Sequence, residues 1–169
     1  AFTTGALAQC PKNPVISEEL DEAYRSLKFA KFPRDAQVAT DVLWSLWTRA
    51  PDNRAQRLLN RGMMNLRLGD LAAAEGFLSV LIKYCPDYAE GYNQRAFARY
   101  LAGNFEGALP DLARALSIQP RHLGALSGKG LTHLALGQPE LAEIEFRKEM
   151  ALNPFTADRD LIPNLGTDL

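Results

Sequence analysis

The chain is poor in several features that would indicate particular functions. It has two cysteines, two histidines and no surplus of either charge, since 19 lysines and arginines stand against 20 aspartates and glutamates in 169 residues. Like charges are scattered, so no basic patch indicates a nucleic acid or an anionic membrane surface as partner. No run of about 18 apolar residues is present, and the sequence therefore predicts no membrane-spanning helix.

Sequence motifs for catalysis and metal binding are also missing. The stretch GALSGKG from Gly124 resembles a phosphate-binding loop, but only three residues separate its first two glycines and no Ser or Thr follows Lys129. His122 and His133 have no cysteine or acidic partner at metal-ligand spacing. We therefore predict no metal, no cofactor and no enzymatic activity. The alternative, an enzyme, would have to use the only polar cluster in view, Arg99 with His133.

A period of 34 residues recurs through the last two thirds of the chain. Three kinds of residue recur at this interval: Gly69, Gly103 and Gly137; Ala74, Ala108 and Ala142; Pro86, Pro120 and Pro154. Glycine tolerates the left-handed conformation that ends a helix and reverses the chain. Good helix-starting residues follow each glycine, namely Asp70, Asn104 and Pro139. Each period thus predicts a helix, a tight turn and a second helix.

With these markers the chain resembles the tetratricopeptide repeat (TPR) family, whose 34-residue unit is a pair of antiparallel helices. The resemblance implies an all-α, right-handed solenoid with three full units at 55–88, 89–122 and 123–156. Residues 18–54 are predicted to form a degenerate fourth unit of the same kind. Within it, Trp44 and Trp47 are expected to pack against the next repeat.

Both ends of the chain lie outside the repeats. Residues 1–17 are predicted to be an N-terminal arm, and Ala6-Leu7-Ala8 is typical of the end of a signal peptide. This favours a periplasmic or secreted protein; the alternative is a disordered start in a cytoplasmic one. Residues 157–169 are predicted to form a short helical segment and an extended tail. The apolar residues after Pro154 would cover the last helix, namely Phe155, Leu161, Ile162 and Leu165. Alternatively, the tail would enter the concave groove of this or a neighbouring molecule.

The two cysteines can meet if the protein is exported. Cys85 closes a second helix, and Cys10 lies a few residues before the first helix of the preceding pair, near the same rim. A linker of that length spans on the order of 20 Å. An oxidising compartment would then permit a Cys10–Cys85 disulfide. The alternative is two free thiols.

Charged residues recur at fixed positions of the repeat. The register predicts ion pairs between Arg95 and Asp111 and between Lys129 and Glu145. One position that usually holds an aromatic residue in the family is polar in every unit here, as Asn65, Arg99 and His133. Either internal pairing or a ligand site would account for this polar ladder.

The resemblance also implies a binding surface, because the first helices of such units line a concave groove. The residues that the repeat register places there are Leu59, Met63, Leu66, Arg67, Asn93, Gln94, Phe97, Tyr100, Ser127, Leu131 and Leu134. Asn93 and Gln94 are predicted to bond a ligand backbone, with Arg67 and Glu90 at the rim. Leu59 and Met63 stand where the family's clamp for a C-terminal carboxylate has Lys and Asn, so that ligand is disfavoured.

This surface predicts a protein-interaction module or adaptor that binds an apolar or amphipathic peptide or helix. Two alternatives remain. The apolar groove could be buried in a homodimer or by the C-terminal tail, because large exposed apolar patches are rare in monomers, or it could serve packing alone. The chain also resembles short exported bacterial TPR proteins, which implies a periplasmic adaptor or assembly factor.

Overall fold

A computed structural model describes residues 9–12 and 16–162, and within these ranges the chain is entirely helical or irregular. The elements are α1 (Ser17–Lys28), α2 (Pro33–Trp47), α3 (Asn53–Leu68), α4 (Leu71–Tyr84), α5 (Ala89–Leu101), α6 (Phe105–Ile118), α7 (Leu123–Ala135), α8 (Pro139–Leu152) and a 3₁₀ turn (Ala157–Leu161). From α3 to α8, each helix packs along the next. The result is an α-solenoid of antiparallel helix pairs.

Glycine makes the reversal inside each pair. Gly69, Gly103 and Gly137 have φ values of 76°, 76° and 69°, in the left-handed region that a side chain disfavours. The carboxylate of Asp70 accepts a hydrogen bond from Ala73 N at 3.0 Å and so caps the start of α4. Asn104 caps α6 in the same way through Gly107 N. Each turn therefore ends one helix and starts the next within two or three residues.

Small residues let the paired helices approach closely. A Cβ atom on Gly62 would lie 2.6 Å from Leu78 Cγ, and one on Gly130 would lie 2.3 Å from Phe146 Cε1. Neither distance is sterically possible without a shift of the packed side chain. The alanines that recur on the second helices, Ala74, Ala108 and Ala142, are completely buried. The periodic small residues are thus packing positions between helices.

Ion pairs link the helices of a pair, as the register predicts. The Arg95 guanidinium donates two hydrogen bonds to Asp111, at 2.7 and 2.8 Å, and Lys129 Nζ lies 3.0 Å from Glu145 Oε1. A two-bond arginine–carboxylate pair fixes geometry more firmly than a single contact.

The polar ladder is satisfied internally. Asn65 donates to Arg61 O at 2.8 Å, Arg99 donates to Glu75 Oε1 at 2.7 Å, and His133 Nδ1 lies 2.7 Å from Gln138 Oε1. Of the two explanations that the sequence left open, the structure has internal pairing.

The N-terminal helices form a pair, but its placement as a preceding repeat is wrong. Among the described residues, α2 does not pack along α3 as α4 packs along α5. The reason lies on α3. Where α5 and α7 have Gly91 and Ala125, α3 has Arg57, which is too large for the close spacing of a repeat layer.

The α1–α2 pair lies instead across the rim of the solenoid where α7 begins and α8 ends. Its core consists of Leu20, Ala23, Tyr24, Leu27, Ala36, Ala39, Leu43, Leu46 and Trp47, and it packs on Leu123, Leu152 and Phe155. Tyr24 donates a hydrogen bond to Arg121 O, and Tyr88 donates one to Trp47 O at 2.7 Å. The tryptophans therefore contact residues at the starts of α5 and α7, among them Tyr88, His122 and Gly124, and do not lie along α3.

The arm before α1 is held by a covalent bond. Cys10 and Cys85 form a disulfide in the structure, with their Cα atoms 5.1 Å apart. Cys85 is buried at the end of α4, beside Tyr88. The disulfide therefore attaches the arm to the same rim on which α1 and α2 lie.

Candidate functional site

The concave side of the solenoid holds an apolar cavity of about 340 Å³ between α5, α7 and the tip of α2. Its lining consists of Trp44, Asn93, Gln94, Ala96, Phe97, Tyr100, Leu112, Gly124, Ser127, Gly128, Leu131 and Thr132. Phe97, one of the lining residues, is 49% exposed. We call this cavity the groove pocket.

Trp44 forms one wall of the groove pocket. Its ring tip lies on Gly124, where an added Cβ atom would be 2.8 Å from Trp44 Cη2 and 3.5 Å from Asn93 Nδ2. Glycine at this point of α7 is therefore what admits the indole. The N-terminal helix pair thus shortens the groove that the three repeats would otherwise present.

About half of the predicted groove residues line this pocket: Asn93, Gln94, Phe97, Tyr100, Ser127 and Leu131. The others lie elsewhere. Leu59 is completely buried with Leu78 and Leu81, and Met63 and Leu66 pack on that same core. Leu134 packs on the C-terminal core, and Arg67 is exposed to solvent. The first repeat contributes no residue to the pocket.

The prediction that Glu90 lies at the rim is wrong, because its side chain is 1% exposed. Its carboxylate lies 2.8 Å from His122 Nε2 and accepts hydrogen bonds from Gln94 Nε2 and, at 3.3 Å, from Asn93 Nδ2. A buried carboxylate needs such partners, because desolvation without them costs several kcal/mol. The side-chain amides of Asn93 and Gln94, predicted to bind a ligand backbone, thus donate hydrogen bonds to Glu90.

His122 connects this network to the N-terminal helices. Its Nδ1 accepts a hydrogen bond from Ala125 N at 3.3 Å, so the proton lies on Nε2 and is donated to Glu90. The Trp47 indole stacks on the imidazole with ring centroids 4.1 Å apart and an interplanar angle of 19°. The polar network at the base of the groove is therefore closed off by α2.

Comparisons with known proteins identify the repeats. No family model matches the chain. It is 33% identical over 156 residues to tetratricopeptide repeat protein 36 of Mus musculus, covering 90% of this chain and 76% of that protein. The chain belongs to the tetratricopeptide repeat family. It is also 28% identical over 142 residues to a TPR repeat-containing protein of Rhizobium etli, covering 84% and 69% of the two chains.

Solved structures have the same fold. The first TPR domain of Spaghetti (RPAP3), bound to the HSP90 peptide SRMEEVD, matches with a TM-score of 0.62 at 20% identity over 64% of this chain and 90% of that one. The MamA protein matches with a TM-score of 0.55 at 21% identity, over 82% and 76% of the two chains. At this identity the likeness establishes the TPR solenoid fold.

The segment after the last TPR helix borders the groove pocket. Ser127 donates a hydrogen bond to Asp158 in the 3₁₀ turn, and Ile162 is buried near Leu131 and Phe146. Ile162 thus covers the last helix pair, as expected. Leu161 is 43% exposed and Phe155 packs on the α1–α2 core, whereas Leu165 lies outside the described residues. Part of the C-terminal segment is therefore a neighbour of the pocket.

A buried carboxyl group lies under this turn. Glu149 Oε1 accepts a hydrogen bond from Thr156 Oγ1 at 2.8 Å, whereas Oε2 has no partner among the described atoms. Burial, reinforced by the nearby Asp158 carboxylate and opposed by the Thr156 bond, raises the pKa of Glu149 to about 8. The C-terminal turn is therefore held against a largely protonated carboxyl group at neutral pH.

Sequence reasoning missed Trp44, Gly124 and Gly128 as parts of the pocket. The available signal was the pair of glycines four residues apart on α7, which leaves a shallow face on one side of that helix. The GALSGKG stretch is thus a packing and groove element.

Within the described parts of the chain, no cluster of three possible metal ligands occurs. No described helix has the length and hydrophobicity to span a bilayer.

Proposed function

We propose that the protein is a non-enzymatic interaction module whose groove pocket binds apolar side chains of an amphipathic peptide or helix from a partner protein. The observation that carries the proposal is Phe97, which is half exposed in a mainly apolar cavity whose walls include Trp44 and Leu131. Aromatic side chains in a concave apolar site are common anchors in protein recognition.

The pocket's size limits what enters it. A volume of about 340 Å³ is at the small end of the range for ligand sites, so it accepts two or three side chains rather than a whole helix. The remaining peptide would lie along the exposed side of Phe97. An acidic C-terminal peptide does not fit this surface, because Leu59 and Met63 supply no cation or amide to bind its carboxylate.

Peptide display against the folded, oxidised protein tests this proposal. We expect the selected peptides to have apolar residues at intervals of three or four and to lose at least ten-fold in affinity on Phe97→Ala or Tyr100→Ala. Ile144→Ala is the matched control, because this residue is also 49% exposed but lies on α8, away from the pocket. Equal binding to the Phe97→Ala and Ile144→Ala proteins would contradict the proposal.

A second candidate is occupation of the pocket by this chain itself, either its C-terminal tail or a second copy. It is favoured by the contact of Asp158 with Ser127, which brings the chain to the edge of the pocket just before residues 163–169. A chain ending at Ile162 would then bind the selected peptides more tightly than the full chain. A dimer in light scattering that disappears on Phe97→Ala would instead indicate a second copy.

We also propose that the protein works in an oxidising compartment, such as the periplasm or the extracellular space. The proposal is supported by the Cys10–Cys85 disulfide and by the signal-peptide-like Ala6-Leu7-Ala8 stretch. Alkylation of the protein in intact cells, followed by mass spectrometry, tests it. Recovery of both cysteines in the alkylated form would place the protein in a reducing compartment.

A further inference from the structure

One side of α3 carries a line of exposed side chains that no described helix covers. They are spaced three or four residues apart and comprise Arg57, Asn60, Arg61, Met64 and Leu68. Met64 is 47% exposed and Leu68 is 74% exposed, which is high for large apolar residues in the middle and last turn of a helix. We call this line the α3 stripe.

Most of the equivalent line on α5 is covered by the preceding helix, except at Ala102, which corresponds to Leu68 and is exposed. Gly91, which corresponds to Arg57 one period earlier, faces the Leu81 and Ile82 side chains on α4. Arg95, which corresponds to Arg61, donates to Ser79 Oγ on α4 at 3.1 Å. The α3 stripe is therefore the side on which this fold receives a neighbouring helix, and α2 does not take that place.

The charge on α3 is one-sided. The helix has four arginines and no acidic residue. Arg61 lies over the Phe77 ring, with its guanidinium carbon 5.5 Å from the ring centroid. Among the described residues, neither Arg57 nor Arg61 forms a salt bridge, whereas Arg95 and Arg99 on α5 are both paired with carboxylates. The stripe thus has a cationic half without counter-charges and an apolar half.

We propose that the α3 stripe docks an acidic amphipathic helix of another protein. Two carboxylates one turn apart would face Arg57 and Arg61, and the apolar residues of the same helix would cover Met64 and Leu68. The long side chains of the stripe hold a docked helix farther away than the small residues of a repeat layer do. This surface is separate from the groove pocket, to which the first repeat contributes no residue.

A second copy of this chain is a poor occupant. In the layer geometry of the repeats, the α8 residue equivalent to Ser79 is Arg147, which already pairs with Glu143 at 2.7 Å and would bring a second guanidinium toward Arg61 of the other copy. Like charges at such a contact oppose association. The first eight residues of the chain have no charged side chain, so they lack the carboxylates that the stripe needs.

Two synthetic 18-residue helices with the same leucine and alanine pattern test the proposal. One has glutamates at the two positions, one turn apart, that would face Arg57 and Arg61, and the other has lysines at the same two positions. Binding to the full-length oxidised protein is measured by fluorescence anisotropy at a fixed salt concentration. Arg57→Glu combined with Arg61→Glu reverses the stripe. Lys28→Glu combined with Lys31→Glu is the control, because it makes the same charge change at exposed positions on the other helix pair.

We expect the acidic helix to bind the native protein and to lose at least ten-fold in affinity on reversal of the stripe. The lysine helix should bind the reversed protein better than the native one, and the control variant should change affinity by less than two-fold. Phe97→Ala should not affect binding. An equal loss in the stripe and control variants, or displacement of the acidic helix by a groove peptide, would overturn the proposal.

Two further results would overturn it. A native dimer that dissociates on reversal of the stripe would assign the face to a second copy. Binding of the acidic helix only after removal of residues 1–8 would assign it to the chain's own N-terminus.

Discussion

The indole of Trp47 lies flat on the imidazole of His122, with 4.1 Å between the ring centroids. This contact joins the N-terminal helix pair to the residue that precedes α7, 75 residues later in the chain. The same imidazole lies 2.8 Å from the Glu90 carboxylate, which is 1% exposed. The stacked indole therefore covers the side of this pair that faces α2. The stack is therefore where the position of α2 and the polar network under the groove depend on each other.

Trp47→Ala should destabilise the protein by about 3–5 kcal/mol, the usual cost of deleting a large buried aromatic side chain. Trp47 is 2% exposed, whereas Trp44 is partly exposed in the groove pocket. Trp44→Ala should therefore cost less, about 1–2 kcal/mol. Denaturant unfolding of both variants measures the difference. Equal losses would show that α2 is not anchored mainly through Trp47.

Removing one member of the Glu90–His122 pair should cost about 3 kcal/mol, because the other polar group is left buried without its partner. The single changes Glu90→Ala and His122→Ala, each of which removes the contact, and their combination form a double-mutant cycle. We expect a coupling free energy above about 1 kcal/mol. The exposed pair Arg114–Asp87 is the control and should contribute less than about 1 kcal/mol. Additive losses at Glu90 and His122 would argue against the network.

Replacing both cysteines by serine should lower the free energy of unfolding by about 4 kcal/mol. In the chain-entropy account this is the effect expected for a link between residues separated by 75 positions. Unfolding of the native protein with and without reductant gives the same comparison without mutation. The Cys10→Ser, Cys85→Ser protein should not respond to reductant. A native protein that is equally stable in both conditions would mean that the link constrains little.

The stability of the protein should fall between about pH 5 and pH 8 because of Glu149. Its pKa is raised to about 8 in the folded state, so the folded protein holds a proton that the unfolded chain releases at lower pH. The stabilisation is fully present below the unfolded pKa and is lost as the pH rises through the folded one.

Glu149→Gln, which keeps the shape but removes the charge, isolates this contribution. We expect the variant to be more stable than the native protein by roughly 1–3 kcal/mol at pH 9 and nearly equal to it at pH 5. Thermal unfolding across this range measures both proteins. Parallel pH profiles would show that Glu149 titrates normally.

The sequence by itself determined the solenoid, because its signals are local. Gly69 and Gly103 adopt φ of 76°, and Asp70 and Asn104 directly after them cap the next helix. A small residue follows within the first turns of that helix. These signals act within a few residues of each other. The ion pairs of Arg95 and Lys129 follow from the same register, since both partners lie at fixed repeat positions.

Only the tertiary structure decided where α1 and α2 lie and which part of the groove remains open. Their apolar faces fit several surfaces of a helical protein, and the choice depended on distant residues: Arg57 prevents close layering on α3, whereas Gly124 admits Trp44 and His122 receives Trp47. Such packing depends on the combined shape of side chains far apart in the chain. No periodic pattern in the sequence encodes that shape.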